Sequence, residues 1–139
     1  MKSIVEQIKL HEGFRNKPYK DTESYLTIGF GRNLDAKGIS KDEAEYLLEN
    51  DIMEVVEDLK EHYWFTTLDK IRQKVIIDMA FNLGMNGLIS FENMIQALVE
   101  KNYDEAADEM LDSLWAEQVG NRADRLAQMM RTGKDYKEV

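Results

Sequence analysis

Residues 11–31 read HEGFRNKPYKDTESYLTIGFG, and the change of period inside this stretch decides the fold. Upstream of it, Ser3 with Glu6 three positions later forms a capping box, and Ile4, Val5 and Ile8 follow at helical spacing until Gly13 supplies a stop. This predicts a short helix over residues 3–12. The chain then turns aromatic and β-branched in Lys17–Asp21 and Tyr25–Phe30, with a polar Thr22-Glu23-Ser24 turn between them, which predicts a β-hairpin. Arg32 to Gly38 is expected as a short third strand or loop. Downstream, Ser40 and Glu43 make a second capping box, and Leu47, Leu48, Ile52, Val55, Val56 and Leu59 continue at helical spacing toward Tyr63. The result is a long amphipathic helix over about residues 40–63. Further helices are expected at 67–83, stopped by Gly84; at 90–100, capped by Ser90; at 104–115, capped by Asp104; and at 121–132, stopped by Gly133. One hairpin region and about six helices define an α+β class by segregation of elements.

The composition agrees with one folding unit. A chain of 139 residues with 43% hydrophobic and 32% charged residues can bury a core without staples, and it is not the composition of a disordered tail. No run is long enough to cross a bilayer, and the start MKSIVEQIKL lacks the apolar stretch of a signal peptide. The absence of cysteine excludes disulfides and thiolate metal sites, and His11 and His62 alone make an imidazole-rich metal site a poor expectation. Net charge is −9, which argues against non-specific nucleic-acid or anionic-lipid binding. Its distribution is uneven: residues 1–40 carry seven Lys/Arg against five Asp/Glu, whereas residues 41–70 carry three against ten.

Chemistry concentrates between the first helix and the long one. Glu12 falls in the last turn of helix 1, at the partially negative end of the helix dipole, where an ionised carboxylate is disfavoured. A carboxyl kept protonated near neutrality is what a general acid needs. Asp21 ends the first strand at the turn, where it stays solvated, and Thr27 lies on the returning strand with a hydroxyl able to position a water. One acid, one base and one water-orienting hydroxyl suit an inverting glycoside hydrolase. Taken singly, each also has an ordinary structural explanation: a surface glutamate, an aspartate satisfying turn amides, a strand threonine chosen for β-propensity.

Their order and spacing add what the residues alone do not. Glu12, Asp21 and Thr27, embedded in His11-Glu-Gly-Phe-Arg15, Tyr19-Lys-Asp-Thr22 and Tyr25-Leu-Thr-Ile-Gly-Phe-Gly31, closely resemble the phage-type lysozymes, the muramidases of glycoside hydrolase family 24. The likeness continues through residues 72–84, Ser90-Phe-Glu-Asn93, Tyr103-Asp-Glu-Ala-Ala107, Gly120-Asn-Arg-Ala-Asp-Arg125 and Arg131-Thr-Gly133, so nearly the whole chain is covered.

The resemblance implies a lysozyme-like single domain. Its small β-hairpin lobe would span about residues 13–39, its connecting helix about 40–63, and its helical lobe about 64–139 together with the N-terminal helix 3–12, with a cleft between the lobes. It implies hydrolysis of the β-1,4 bond between N-acetylmuramic acid and N-acetylglucosamine in peptidoglycan, with no metal or organic cofactor. Glu12 would protonate the leaving oxygen, Asp21 would activate a water on the opposite face of the sugar, and Thr27 would hold that water. Arg122 would lie beside the acid and orient it; Asn33, Phe81 and Asn82 would line the substrate. The implied partner is the polysaccharide itself, met by a monomer without membrane insertion, after accumulation in the host bacterial cytoplasm.

Three departures from the family pattern carry consequences. The eight residues between Gly31 and Ser40 are short, which implies a reduced small lobe. Arg32 stands where many members carry histidine, so a histidine-dependent ion pair is not expected in its usual form. The charge of −9 is opposite to the basic character common in wall-degrading lysozymes and predicts weaker binding to a carboxylate-bearing wall at low salt. The competing readings are a catalytically inactive wall-binding or phage structural module, a lytic transglycosylase, and a helical interaction protein. Retention of Glu12, Asp21 and Thr27 disfavours the first, retention of Asp21 and Thr27 the second, which needs an acid but no water-activating carboxylate, and the third gives no reason for the ordered motifs.

Overall fold

The capping box at Ser3 closes in both directions, the Ser3 hydroxyl accepting from the Glu6 N–H and the Glu6 carboxylate from the Ser3 N–H. Helix α1 therefore begins at once, over Ile4–Glu12, and Gly13 stops it at φ +69°, its N–H donating to the Lys9 carbonyl. The computed structural model describes residues 1–136. Three antiparallel strands follow α1: β1 (Arg15–Lys20), β2 (Leu26–Gly29) and β3 (Arg32–Asn33), in the order β1-β2-β3. Thr27 sits in the central strand, opposite Tyr19 on one side and Asn33 on the other. The segment expected as a strand or loop divides into β3 and the one-turn helix α2 (Leu34–Lys37), capped by the Asn33 side chain on the Ala36 N–H.

The chain clusters into two compact units, Met1–Leu47 and the residues from Leu48 onward, with the boundary inside helix α3 (Lys41–Leu59). Helix α1 falls in the unit that holds the sheet. In the first unit the short segment from β3 to α3 is closed by an ion pair: the Arg32 guanidinium meets both Glu43 carboxylate oxygens at 2.9 and 2.7 Å and donates to the Gly38 carbonyl at 3.0 Å. Glu43 is also the return arm of the second capping box, accepting from the Ser40 N–H at 2.8 Å. The Arg32 hydrogen bond, joined by that from Ser40, holds the Glu43 carboxyl down at about 2. An arginine thus supplies an ion pair at the position where a histidine pair was not expected.

The second unit contains α4 (Tyr63–Thr66), α5 (Lys70–Ile89), α6 (Glu92–Val99), α7 (Tyr103–Leu111), α8 (Leu114–Val119) and α9 (Asn121–Thr132). Helix α7 packs against α6 and α9, and α5 and α8 also pack on α9. Val75, Ile76, Met79, Leu88, Met94, Met110 and Met130 are fully buried there, the unbranched methionines filling the space between short helices. Met129, Met130 and Trp115 pack as expected. Arg72 closes the open end of α9, donating to the carbonyls of Met130 at 2.7 Å and Arg131 at 3.1 Å while stacking 3.7 Å above the Tyr103 ring.

Several boundaries differ from the sequence expectation. Helix α3 ends at Leu59, and the neighbours Trp64 and Phe65 are buried from a separate short helix, α4. Gly84 does break helical geometry (φ +77°, ψ +161°), yet the chain resumes for one more turn to Ile89. Ser90 caps the C-terminal end of that turn, its hydroxyl donating to the Gly87 carbonyl, so it does not start the next helix. Asn102, not Asp104, caps α7 through the Glu105 N–H, and Ser113 starts a separate α8.

Candidate active site

Gly13 fixes Glu12 as the final residue of α1, and the first contacts beyond it bring a sheet turn to that helix end. The Phe14 ring lies 5.3 Å from that of Phe30, and the Lys9 ammonium lies 5.3 Å from the same ring on its π face. Phe30 is the middle of the Gly29-Phe30-Gly31 turn between β2 and β3. Gly31, at φ +76°, approaches Glu12 so closely that a Cβ built on it would stand 2.6 Å from Glu12 Oε2 and 2.8 Å from Cδ. The Glu12 side chain is exposed.

Asp21 follows β1 and folds the hairpin turn around itself. Its Oδ1 accepts from the N–H groups of Glu23 and Tyr25, both at 2.9 Å, while Ser24 takes the left-handed conformation at φ +68°. Oδ2 has no hydrogen-bond partner among the described residues. The Tyr25 peptide joins this turn to the strand: its carbonyl accepts the Asp21 N–H at 2.9 Å and the Thr27 hydroxyl at 2.9 Å. Asp21 and Thr27 are thus fastened to one backbone unit. Thr27 is 3% exposed, the only buried polar side chain among the described residues, and its hydroxyl proton is committed to Tyr25. The Thr27 oxygen is left as an acceptor.

The structure places the remaining expected residues as follows. Asn33 pairs with Thr27 across the β2–β3 ladder, and its Oδ1 is occupied by the α2 cap. Phe81 on α5 lies outside the core, 42% exposed, so its ring is not a packing residue. Its neighbour Asn82 accepts the indole N–H of the buried Trp115 at 2.7 Å, which leaves the carboxamide NH₂ directed by that bond. Arg122 on α9 binds Asp78 of α5, its Nε and Nη2 both 2.7 Å from Asp78 Oδ1. The sequence reading did not find Asp78, Tyr25 or Gly31. Asp78 has no local pattern to mark it, Tyr25 acts through its backbone, and Gly31 was visible only as part of the Gly-Phe-Gly turn. A groove of about 920 Å³ in the first unit, lined by Phe30, Leu34, Ile39 and Tyr46 among others, includes none of Glu12, Asp21 and Thr27 in its wall.

A helix-end carboxyl, a turn carboxylate and a buried strand hydroxyl, on a small antiparallel sheet followed by a helical unit, define an α+β protein of lysozyme-like fold. The chain belongs to the phage lysozyme family, whose model matches residues 9–132. It is 32% identical to the probable T4-type lysozyme 1 of Dictyostelium discoideum, covering 94% of this chain and 95% of that protein. It is 28% identical to the probable T4-type lysozyme 2 of the same organism, covering 97% and 98%. A third similarity is to the pre-baseplate central spike protein Gp5 of Enterobacteria phage T4, at 29% identity over 94% of this chain and 28% of the spike protein's length. Membership makes the chain one of a family of glycoside hydrolases. Among the described residues no helix is long and apolar enough to cross a membrane.

Proposed function

We propose that the chain hydrolyses the β-1,4 bond between N-acetylmuramic acid and N-acetylglucosamine in peptidoglycan, with inversion, through Glu12, Asp21 and Thr27. The observation that carries this reading is the Tyr25 peptide, which fastens a carboxylate and a buried hydroxyl together. A water presented to that pair has two acceptors to donate to, Asp21 Oδ2 and the Thr27 oxygen, because Asp21 Oδ1 and the Thr27 proton are already committed. Two O–H donations orient the water lone pair away from both groups and toward a sugar carbon. As the C–O bond forms, the water proton passes to Asp21, and the proton of Glu12 passes to the departing glycosidic oxygen. Thr27 does not exchange protons in this scheme. It fixes direction, and its burial keeps the hydroxyl from turning to bulk water.

Asn33, Phe81 and Asn82 are proposed to line the substrate. Each has the appropriate group to offer: the Asn33 and Asn82 amides as donors to hydroxyl or acetamide oxygens, and the exposed Phe81 ring as an apolar surface for a sugar face. The proposed setting is that of a monomer acting on the wall after release from the bacterial cytoplasm.

A second reading is a phage structural module that keeps the fold without the chemistry; the similarity to a protein named as a central spike bears on the structural role alone. Incubating purified peptidoglycan with the protein, and following reducing-end release together with the anomeric configuration of the first product by NMR, separates the two. Release of the inverted anomer is expected. A folded protein that releases no reducing ends supports the structural module, and a product of retained configuration refutes Asp21 as the base of an inverting reaction.

A further inference from the structure

Gly29 and Gly31 flank Phe30 and share one backbone demand, a positive φ of +69° and +76°. Their surroundings differ. A Cβ on Gly29 meets nothing within 4 Å, whereas a Cβ on Gly31 would stand 2.6 Å from Glu12 Oε2, 2.8 Å from Cδ and 3.2 Å from Cγ. All three atoms belong to one flexible, exposed side chain, so an added methyl group would be relieved by Glu12 swinging away, at little cost to the fold. Phe30, between the two glycines, contacts the Phe14 ring and the Lys9 ammonium of the α1 end.

We infer that Gly31 is a positioning residue for Glu12: its missing side chain is the seat on which the carboxyl rests, over and above the φ that a glycine serves there. This rests on reading Glu12 as the general acid. The acid must meet the leaving oxygen at hydrogen-bond distance, and a displacement of about 1 Å costs on the order of 10²-fold in rate. The two glycines therefore separate what their common conformation would otherwise confound. Alanine at either position strains the backbone; alanine at position 31 alone also evicts the carboxyl.

The test is kcat and KM for soluble peptidoglycan fragments, with urea midpoints, for the parent, Gly31→Ala, Gly29→Ala, Glu12→Gln and the double variant Gly31→Ala with Glu12→Gln. Expected are similar midpoints for the two alanine variants, and a kcat about 10²-fold lower for Gly31→Ala with little change in KM. Gly29→Ala should keep the parent kcat, and Gly31→Ala should cost nothing further once Glu12 is glutamine. Where alanine strain prevents folding at both positions, Gly31→Asn and Gly29→Asn replace them, since asparagine tolerates positive φ. A Gly31→Ala that keeps the parent kcat, while Glu12→Gln is inactive, overturns the role of Gly31 alone. One that unfolds while Gly29→Ala folds makes that role structural and overturns it too. Parent-like activity in Glu12→Gln overturns the assignment of the acid and this inference with it.

Discussion

Every buried apolar residue of the described chain, from Leu59 to Met130, lies in the unit that begins at Leu48, while the one buried residue of the unit Met1–Leu47 is Thr27. The second unit is held as most small helical folds are, by apolar burial and by caps such as Arg72 on α9. The first is held by directional bonds: two capping boxes, the Asp21 turn, the Arg32–Glu43 pair and a three-stranded ladder. The groups proposed to do chemistry belong to the directional unit. Hydrogen bonds fix the Asp21 carboxylate and the Thr27 hydroxyl in direction, and the close approach of Gly31 bounds Glu12, so the groups proposed to orient a water are held by directional contacts rather than by a core. The cost is that such a unit has little apolar burial of its own to lose.

Four substitutions or conditions press on this contrast, in descending size. Met79→Ala empties a fully buried side chain in the second unit and is expected to lower unfolding free energy by about 2–5 kcal/mol, read by urea denaturation. Loss of less than about 0.5 kcal/mol would place that core elsewhere. Thr27→Val keeps shape and burial but removes the hydroxyl. Reducing-end release is expected to fall about 10²-fold, with the unfolding midpoint nearly unmoved. An active, parent-like valine variant breaks the claim that burial there serves orientation.

The third concerns acid. The Glu43 carboxyl titrates at about 2 when folded and near 4.5 otherwise, so its pairing stabilises the fold fully above the higher value and the benefit is lost as pH falls toward the lower. The difference in thermal midpoint between the parent and Glu43→Gln should therefore be largest above pH 5 and shrink steadily toward pH 2. A difference independent of pH would mean that the Arg32 pair does not close the small unit. The smallest effect is that of salt: with net charge −9, turnover on carboxylate-bearing wall should fall by a few-fold as ionic strength is lowered. A rise at low salt would show that the locally positive residues 1–40 govern encounter.

What the sequence disclosed follows the same division. Ser3 with Glu6, Gly13, and Ser40 with Glu43 are local signals whose partners lie within four residues, and the hairpin is marked by a turn whose flanking strands pair six to fourteen residues apart; each appears in the structure close to where the pattern places it. The helical boundaries after Leu59 were less legible because they are settled by burial. Trp64 and Phe65 are buried from a short helix of their own, and Ser90 serves a carbonyl behind it where the pattern suggested an amide ahead. For the candidate site, the identities of Glu12, Asp21 and Thr27 were readable, and what was hidden was how they are held. The Tyr25 peptide bonds through its backbone, which no residue type announces. Arg32 meets Glu43 only once the ten residues between them fold back, and the closeness of Gly31 to Glu12 appears only when the turn between β2 and β3 meets the end of α1.

The central claim is that the chemistry belongs to the first unit and the apolar core to the second. Its most direct test is reducing-end release from purified peptidoglycan by the parent and by Glu12→Gln, each paired with a urea unfolding curve. The account predicts a loss of at least about 10²-fold for the glutamine variant, at an unchanged unfolding midpoint. Equal release by the two folded proteins would contradict it.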